Sequence, residues 1–270
     1  MVDFIFIGPD KSGSSWLSRL FAVSSEVYIP PAKDLYFFDK YYTKGVSWYE
    51  KYYRDAGSRL KGEICHDYLF SGDAAVRIRD YNPQIKLFCS LRDPIDRSFS
   101  QYLYLLRSGL TQEPFEECIK NIPRILDNSL YAKHLECYLE IFDRANLRIF
   151  YFEDLVASPE NFADSICDFL GINDIRPLPE PERAAAKAKN TKIAHVVKRL
   201  AIVARNLGFA NLVGRVKSSK IQNLFYTTYG KGEDKPQMNH ETRAFLQDYF
   251  QEDTQKLKKL LGRDELPYSL

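Results

Sequence analysis

An α/β fold, a three-layer sandwich with a central parallel sheet and a helical C-terminal part, is what the sequence predicts, and three observations predict it. Short apolar runs alternate with stretches of helical periodicity along roughly the first 170 residues, the pattern of a sheet whose crossovers are helices. Two of those runs, Phe4-Ile5-Phe6-Ile7 and Ile85-Lys86-Leu87-Phe88-Cys89-Ser90-Leu91, read as strands buried on both faces. Both lead into polar residues that open a helix, and the carboxyl ends of parallel strands are where such sheets bind ligands.

In order, a strand is expected at 3–8 and a helix at 14–24. Between them lies Gly8-Pro9-Asp10-Lys11-Ser12-Gly13-Ser14-Ser15-Trp16. A strand that ends in small and hydroxyl residues and then opens a helix aims backbone N–H groups and the positive end of the helix dipole at one point, where an anion can sit. Lys11 adds a full charge there. A strand at 59–64 and a helix at 73–81 follow, then the strand at 85–91. It runs into Arg92-Asp93-Pro94-Ile95-Asp96-Arg97-Ser98-Phe99-Ser100-Gln101-Tyr102, with Pro94 suited to the first turn of a helix at 95–107, where its missing N–H costs nothing. Helices at 130–143 and 159–170 flank a strand at 147–152, and a further helix is expected at 241–261. Pro177, Pro179 and Pro181 mark a break rather than a domain boundary, so residues 1–270 are expected to form one domain.

Composition agrees. A chain of 270 residues that is 45% hydrophobic buries a sizeable core without metals or disulfides. Cys65, Cys89, Cys118, Cys137 and Cys167 are scattered with no close pair, which indicates buried thiols and neither a zinc site nor a disulfide framework. The first apolar run lacks a basic flank, and no later run approaches the roughly 18 residues of a membrane span, which predicts a cytoplasmic protein. A net charge of +2 hides an asymmetry: residues 183–232 contain no acid and many Lys and Arg. Such a stretch faces an anion. Within it Ile193, Val196, Val197, Leu200, Val203 and Leu207 fall at helical spacing, the pattern of a basic amphipathic helix.

Gly8 and Gly13 have the separation of the two glycines in a Walker nucleotide-binding loop, but Ser14 and Ser15 stand where that loop requires Lys and Ser or Thr. The lysine lies inside the loop instead. Lys-Ser-Gly-Ser-Ser-Trp resembles the 5′-phosphosulfate loop of sulfotransferases that use 3′-phosphoadenosine 5′-phosphosulfate (PAPS). Arg92 with Ser100 eight residues later resembles the 3′-phosphate site of the same family. Lys33-Asp34-Leu35-Tyr36-Phe37-Phe38-Asp39, then Gly45-Val46-Ser47-Trp48-Tyr49, is similar to elements of the glycan (heparan sulfate type) sulfotransferases and their bacterial relatives. Gly62-Glu63-Ile64-Cys65-His66-Asp67-Tyr68-Leu69 stands where those proteins carry a short strand and a Glu-x-x-Pro-x-Tyr-like segment.

The resemblance implies a P-loop-NTPase-like sheet, PAPS as donor, adenosine 3′,5′-bisphosphate (PAP) as product, no metal, and an acceptor hydroxyl on a glycan or small molecule. It implies cofactor contacts from Lys11, Ser12, Gly13, Ser14, Ser15, Trp16, Arg92 and Ser100. Trp16 would stack on adenine, although an aromatic on the first turn of a helix is as often core. A late basic loop would close on the 3′-phosphate, with Lys231 and Gly232 the nearest match and 189–192 almost as good. The catalytic group is Lys11 with a base: Asp34, at the position of the glycan enzymes' Glu but one methylene shorter, or His66, a residue type suited to proton transfer near pH 7. Lys33 would orient the base or the sulfonate. The aromatics from Tyr36 to Tyr53 either stack on sugar rings or form core. The basic 183–232 stretch is expected to contact an anionic surface, and no nucleic acid is expected. A kinase-like P-loop enzyme and a non-catalytic anion-binding module are the competing readings.

Overall fold

The computed structural model describes residues 1–180, 186–188, 203–204, 211, 214, 226–228 and 236–268. Five parallel strands form the central sheet in the order β2-β3-β1-β4-β5. They are β1 Phe4–Gly8, β2 Val27–Tyr28, β3 Leu60–Ile64, β4 Lys86–Leu91 and β5 Leu147–Tyr151. β1 occupies the middle, with Phe4 opposite Gly62 on one side and Lys86 on the other. The chain first builds toward β3 and later crosses to β4, so the turn after β1 lies at the point where the direction of winding changes.

Successive residues of each strand serve opposite faces. Ile5, Ile7, Leu87, Cys89 and Leu91 enter one buried cluster, shared with helices α3 (Gly72–Tyr81) and α7 (Tyr131–Ile141). Phe4, Phe6, Phe88 and Phe150 enter the other, under α1 (Ser14–Ala22) and α9 (Pro159–Leu170). Helices thus cover both faces, and each fully buried Phe contributes roughly 1.5–3 kcal/mol. The second cluster dictates a glycine: a Cβ on Gly62 would lie 2.0 Å from the Phe4 ring.

Between β2 and β3 lies the short α2, Val46–Glu50. Helix α4, Pro94–Arg107, opens on an Asp93 side chain that accepts from the Ile95 and Asp96 N–H groups. Short helices α5 (Phe115–Asn121), α6 (Arg124–Asp127) and α8 (Phe152–Ala157) complete the surroundings of the strand ends. The C-terminal helix, His240–Leu261, buries Leu246 and Phe250 against the α4–α5 cluster and Leu257 in the main core. Its Asp253 accepts from the Ala132 and Lys133 N–H groups, capping α7, which has no side-chain cap of its own. That contact ties the C-terminal helix to the domain.

Several expectations change. The two-residue β2 and the helices α2, α5, α6 and α8 were not anticipated, being too short to show a period. Ala186–Ala188 and Tyr226–Thr228 pair as a small antiparallel ladder inside the basic stretch. Of the apolar positions in the expected amphipathic helix only Val203 is described; it is helical but 53% exposed, not buried. Lys231, Gly232 and residues 189–192 lie outside the described residues.

Candidate active site

The turn after β1 is built by unusual backbone. Gly8 (φ 126°), Lys11 (φ 66°) and Gly13 (φ 95°) all adopt positive φ. At Gly8 a side chain is excluded twice over, because a Cβ would lie 2.4 Å from the His66 carbonyl oxygen, and that contact sets the loop against the end of β3. Gly13 then begins α1 with no side-chain cap and no acid in the first turn. The helix N–H groups are therefore not satisfied from within, the condition under which a helix N-terminus holds an anion.

Cations gather at this turn. Lys33 Nζ donates to Ser14 Oγ at 3.0 Å and to Ser15 Oγ at 3.4 Å. Arg92 Nη1 donates to the Lys11 carbonyl at 3.2 Å, with its guanidinium 4.6 Å from the centre of the Phe152 ring. Lys11 Nζ lies 4.9 Å over the Tyr104 ring. Burial brings the Lys11 pKa down to about 8; Asp10 opposes the fall, and Arg107, Arg92 and Lys33 add to it. A bound anion would reverse that electrostatic strain, so these residues fit a phosphate-bearing ligand.

The loop is held from below by Arg97. Its side chain is 0% exposed and donates to Asp10 Oδ1 at 2.7 Å, Ser129 Oγ at 2.5 Å and the Ile125 carbonyl at 2.5 Å. A buried guanidinium whose donors are met in this way fixes the geometry of Asp10, the residue before Lys11.

The two rival bases prove to be partners. Asp34 Oδ1 lies 2.6 Å from His66 Nδ1 and 3.4 Å from the His66 backbone nitrogen, while the Asp34 N–H donates to the Ile64 carbonyl at 3.0 Å. Asp34 and Tyr36 take the left-handed conformation, with φ of 61° and 55°, which folds the segment back onto the end of β3. On the other side of the ring, His66 Nε2 lies 3.2 Å from Asp67 Oδ1. Burial disfavours the imidazolium, but Asp34, Asp67 and Asp10 outweigh it and the His66 pKa is raised.

Beneath this pair sits Glu63. Tyr49 donates to Oε2 at 2.6 Å and Tyr68 to Oε1 at 2.9 Å, and the Tyr68 oxygen accepts the Phe37 N–H at 2.8 Å. Burial raises the Glu63 pKa to about 8 against the pull of both tyrosines, with Asp34 and Asp39 adding to the rise. This buried network carries the 34–38 segment.

Ser14 and Ser15 therefore meet Lys33, next to Asp34, at the same turn as Lys11. Ser100 sits partly buried on α4, beyond Arg92. The side chains of two expected cofactor contacts have partners within the fold. The Ser12 hydroxyl is buried and donates to the Pro9 carbonyl at 2.8 Å, inside the loop. Trp16 is core, 6% exposed, edge-on to Phe162 with Nε1 donating to the Pro179 carbonyl, so its ring is packed rather than offered to adenine. Phe37, Phe38, Tyr49, Tyr52 and Tyr53 are also core. Sequence reasoning missed Tyr104 and Arg107, although both follow Ser100 at helical spacing on one face. It also missed the Arg97 clamp, which nothing short of the fold reveals. Among the described residues no group of His, Cys, Asp and Glu is placed to hold a metal ion, and no helix is long and apolar enough to cross a membrane.

A parallel sheet whose middle strand ends in a cation-lined, uncapped turn places the molecule in the P-loop class of α/β proteins, here without the Walker lysine. The sequence model of the family described as Sulfotransferase domain matches residues 2–260, and the chain belongs to that family. It is 28% identical over 274 residues to heparan sulfate glucosamine 3-O-sulfotransferase 3B1 of Mus musculus, an alignment covering 96% of this chain and 63% of the relative. The chain thus spans less than two thirds of that relative's length. The fold matches the crystal structure of a sulfotransferase from Alicyclobacillus acidocaldarius with a TM-score of 0.70 at 21% identity, over 98% of this chain and 97% of the other. A mouse sulfotransferase solved in complex with PAP superposes with a TM-score of 0.53 at 14% identity, over 94% and 85% of the two chains.

Proposed function

We propose that this protein is a PAPS-dependent sulfotransferase acting on a hydroxyl of a carbohydrate acceptor. One observation carries the reading: Lys33, adjacent in sequence to Asp34, hydrogen-bonds Ser14 and Ser15, so the anion-holding turn and the Asp34–His66 pair form one site. Family membership and the heparan sulfate 3-O-sulfotransferase relative support the donor and the carbohydrate class. PAPS, when bound, supplies the sulfuryl group and leaves as PAP. Lys11, Lys33 and the α1 N–H groups hold negative charge at the turn, where preorganised donors stabilise it without rearranging. Arg92 and Ser100 hold the 3′-phosphate. One member of the Asp34–His66 pair removes the acceptor's proton. Because the positive charge comes from side chains and backbone, the reading requires no metal.

The test is thermal unfolding with PAP, with ATP and Mg²⁺, and with neither, followed by transfer from labelled PAPS to unsulfated heparan-type oligosaccharides. A ligand at 100 times its Kd adds about 2.7 kcal/mol. Stabilisation by PAP together with sulfated product supports the proposal. Stabilisation by ATP and Mg²⁺ alone points to a kinase-like enzyme, and binding of the glycan with no response to either nucleotide points to an anion-binding module.

A further inference from the structure

His66 is held between two carboxylates. Its Nδ1 faces Asp34 Oδ1 at 2.6 Å and its Nε2 faces Asp67 Oδ1 at 3.2 Å. A bare ring nitrogen turned toward a carboxylate would set lone pair against lone pair, so both positions call for an N–H. Asp67 is itself anchored: its Oδ2 lies 2.5 Å from Lys40 Nζ, which is 3.6 Å from Asp39 Oδ2 and 3.7 Å over the Tyr36 ring. Tyr36 closes the arrangement with its ring edge-on to the imidazole at 5.9 Å. The charged groups facing His66 are thus Asp34 from the segment after β2, Asp67 from its own loop, Asp10 from the turn after β1, and Lys40 behind Asp67.

Resting on the sulfotransferase reading, we propose that His66 is a positioning residue and not the base: a doubly protonated imidazole, clamped by Asp67 and Lys40, that fixes the Asp34 carboxylate toward the acceptor. The acceptor's O–H bond breaks as its oxygen bonds to sulfur, the bond from sulfur to the donor's bridging phosphate oxygen breaks so that PAP leaves with that electron pair, the proton passes to the Asp34 carboxylate, and the imidazolium keeps both of its protons throughout. An imidazole with both nitrogens occupied has no lone pair with which to accept one. Its charge lies against the Asp34 carboxylate, 2.6 Å away. The raised pKa of His66 agrees with this state.

The direct test is the protonation state of the imidazole in the full chain, read from ¹⁵N-labelled histidine by NMR at pH 7 with and without PAP, the His66 signal being assigned by its loss in His66→Asn. Both nitrogens should be protonated. In Asp67→Asn the titration midpoint of His66 should fall by about one pH unit or more, the effect of removing one neighbouring opposite charge. A neutral ring at pH 7 in the wild type overturns the proposal. Kinetics supply the second arm. Asp67→Asn should move the alkaline limb of the kcat profile down by about the same amount and leave the acid limb in place. His66→Asn, whose side-chain amide N–H can still donate to Asp34, should keep kcat within roughly tenfold and lose the alkaline limb, whereas Asp34→Asn should lose roughly 10²–10⁴-fold. Equal loss in His66→Asn and Asp34→Asn, with both variants folded by circular dichroism, would make His66 the base and end the proposal. Failure of the functional reading would show separately, as a wild-type melting temperature indifferent to PAP.

Discussion

Replacing Lys11 by Met should stabilise the unliganded protein while abolishing its response to PAP. Methionine keeps the unbranched stem and carries the same steric penalty as lysine at φ 66°, so the change isolates the charge. The drop in the Lys11 pKa from 10.5 to about 8 corresponds to about 3 kcal/mol at ~1.4 kcal/mol per unit. The sign follows from the depressed value. Below pH 8 the lysine is charged in both folded and unfolded chains, and the fold bears the full unfavourable free energy of holding it. Between 8 and 10.5 the folded lysine sheds its proton first and the penalty is relieved as pH rises. The Met variant should therefore exceed the wild type at pH 7 by up to about 3 kcal/mol, a rise in Tm of up to roughly 10 °C for a chain of this size. The advantage should shrink as the pH climbs from 8 toward 10. Thermal unfolding across that range, with and without PAP, measures both effects. A variant no more stable than wild type at pH 7, or an advantage that does not change with pH, would refute the argument that the turn stores electrostatic strain for an anion to release.

Two more outcomes follow from the buried groups. Arg97→Met should destabilise by about 3–5 kcal/mol, the usual result of leaving one member of a buried ion pair behind. Asp10→Asn in the same background should recover part of the loss, as read from urea midpoints. Glu63 has a folded pKa raised to about 8 from 4.5, so its contribution to stability is fully present below pH 4.5 and is lost as pH rises through 8. The difference between wild type and Glu63→Gln in urea unfolding should accordingly fall toward alkaline pH by about 1.4 kcal/mol per unit between pH 5 and 8; a difference constant with pH would show that the carboxyl is ionised throughout.

The strands β1 and β4, the turn between Gly8 and Trp16, and the helix opened by Pro94 could be read from sequence because each is a local pattern: an apolar run, a cluster of small residues, a proline at a helix start. The pairing of Asp34 with His66 could not be read in the same way. It depends on a carboxylate-bearing residue entering the left-handed conformation, which only glycine signals plainly, and on β3 lying beside β2. In sequence Asp34 and His66 stand 32 residues apart as two separate candidate bases, and only the end of β3 joins them. Trp16 is ambiguous in sequence for a different reason. A large aromatic one turn into a helix suits a ligand or a core equally, and the choice was made by Phe162 and Pro179, far along the chain. Tyr104 and Arg107 were legible in principle, since the spacing from Ser100 already sets the three on one face.

The central position of β1 also governs how the molecule can be made. Of the five strands in the sheet, β1 is made before the others and yet needs a neighbour on each side, and Phe4 finds them at Gly62 and Lys86. Until β4 has emerged, Phe4-Ile5-Phe6-Ile7 has no complete ladder to join, and Asp10 waits longer still for Arg97 and the Ser129 and Ile125 groups that hold it. Pairings over such distances form slowly and leave apolar strand open to misassociation meanwhile. A nascent or truncated chain ending before β4 thus leaves apolar strand unpaired, and its turn after β1 lacks the contacts that Arg92 and Arg97 make to Lys11 and Asp10 in the complete fold.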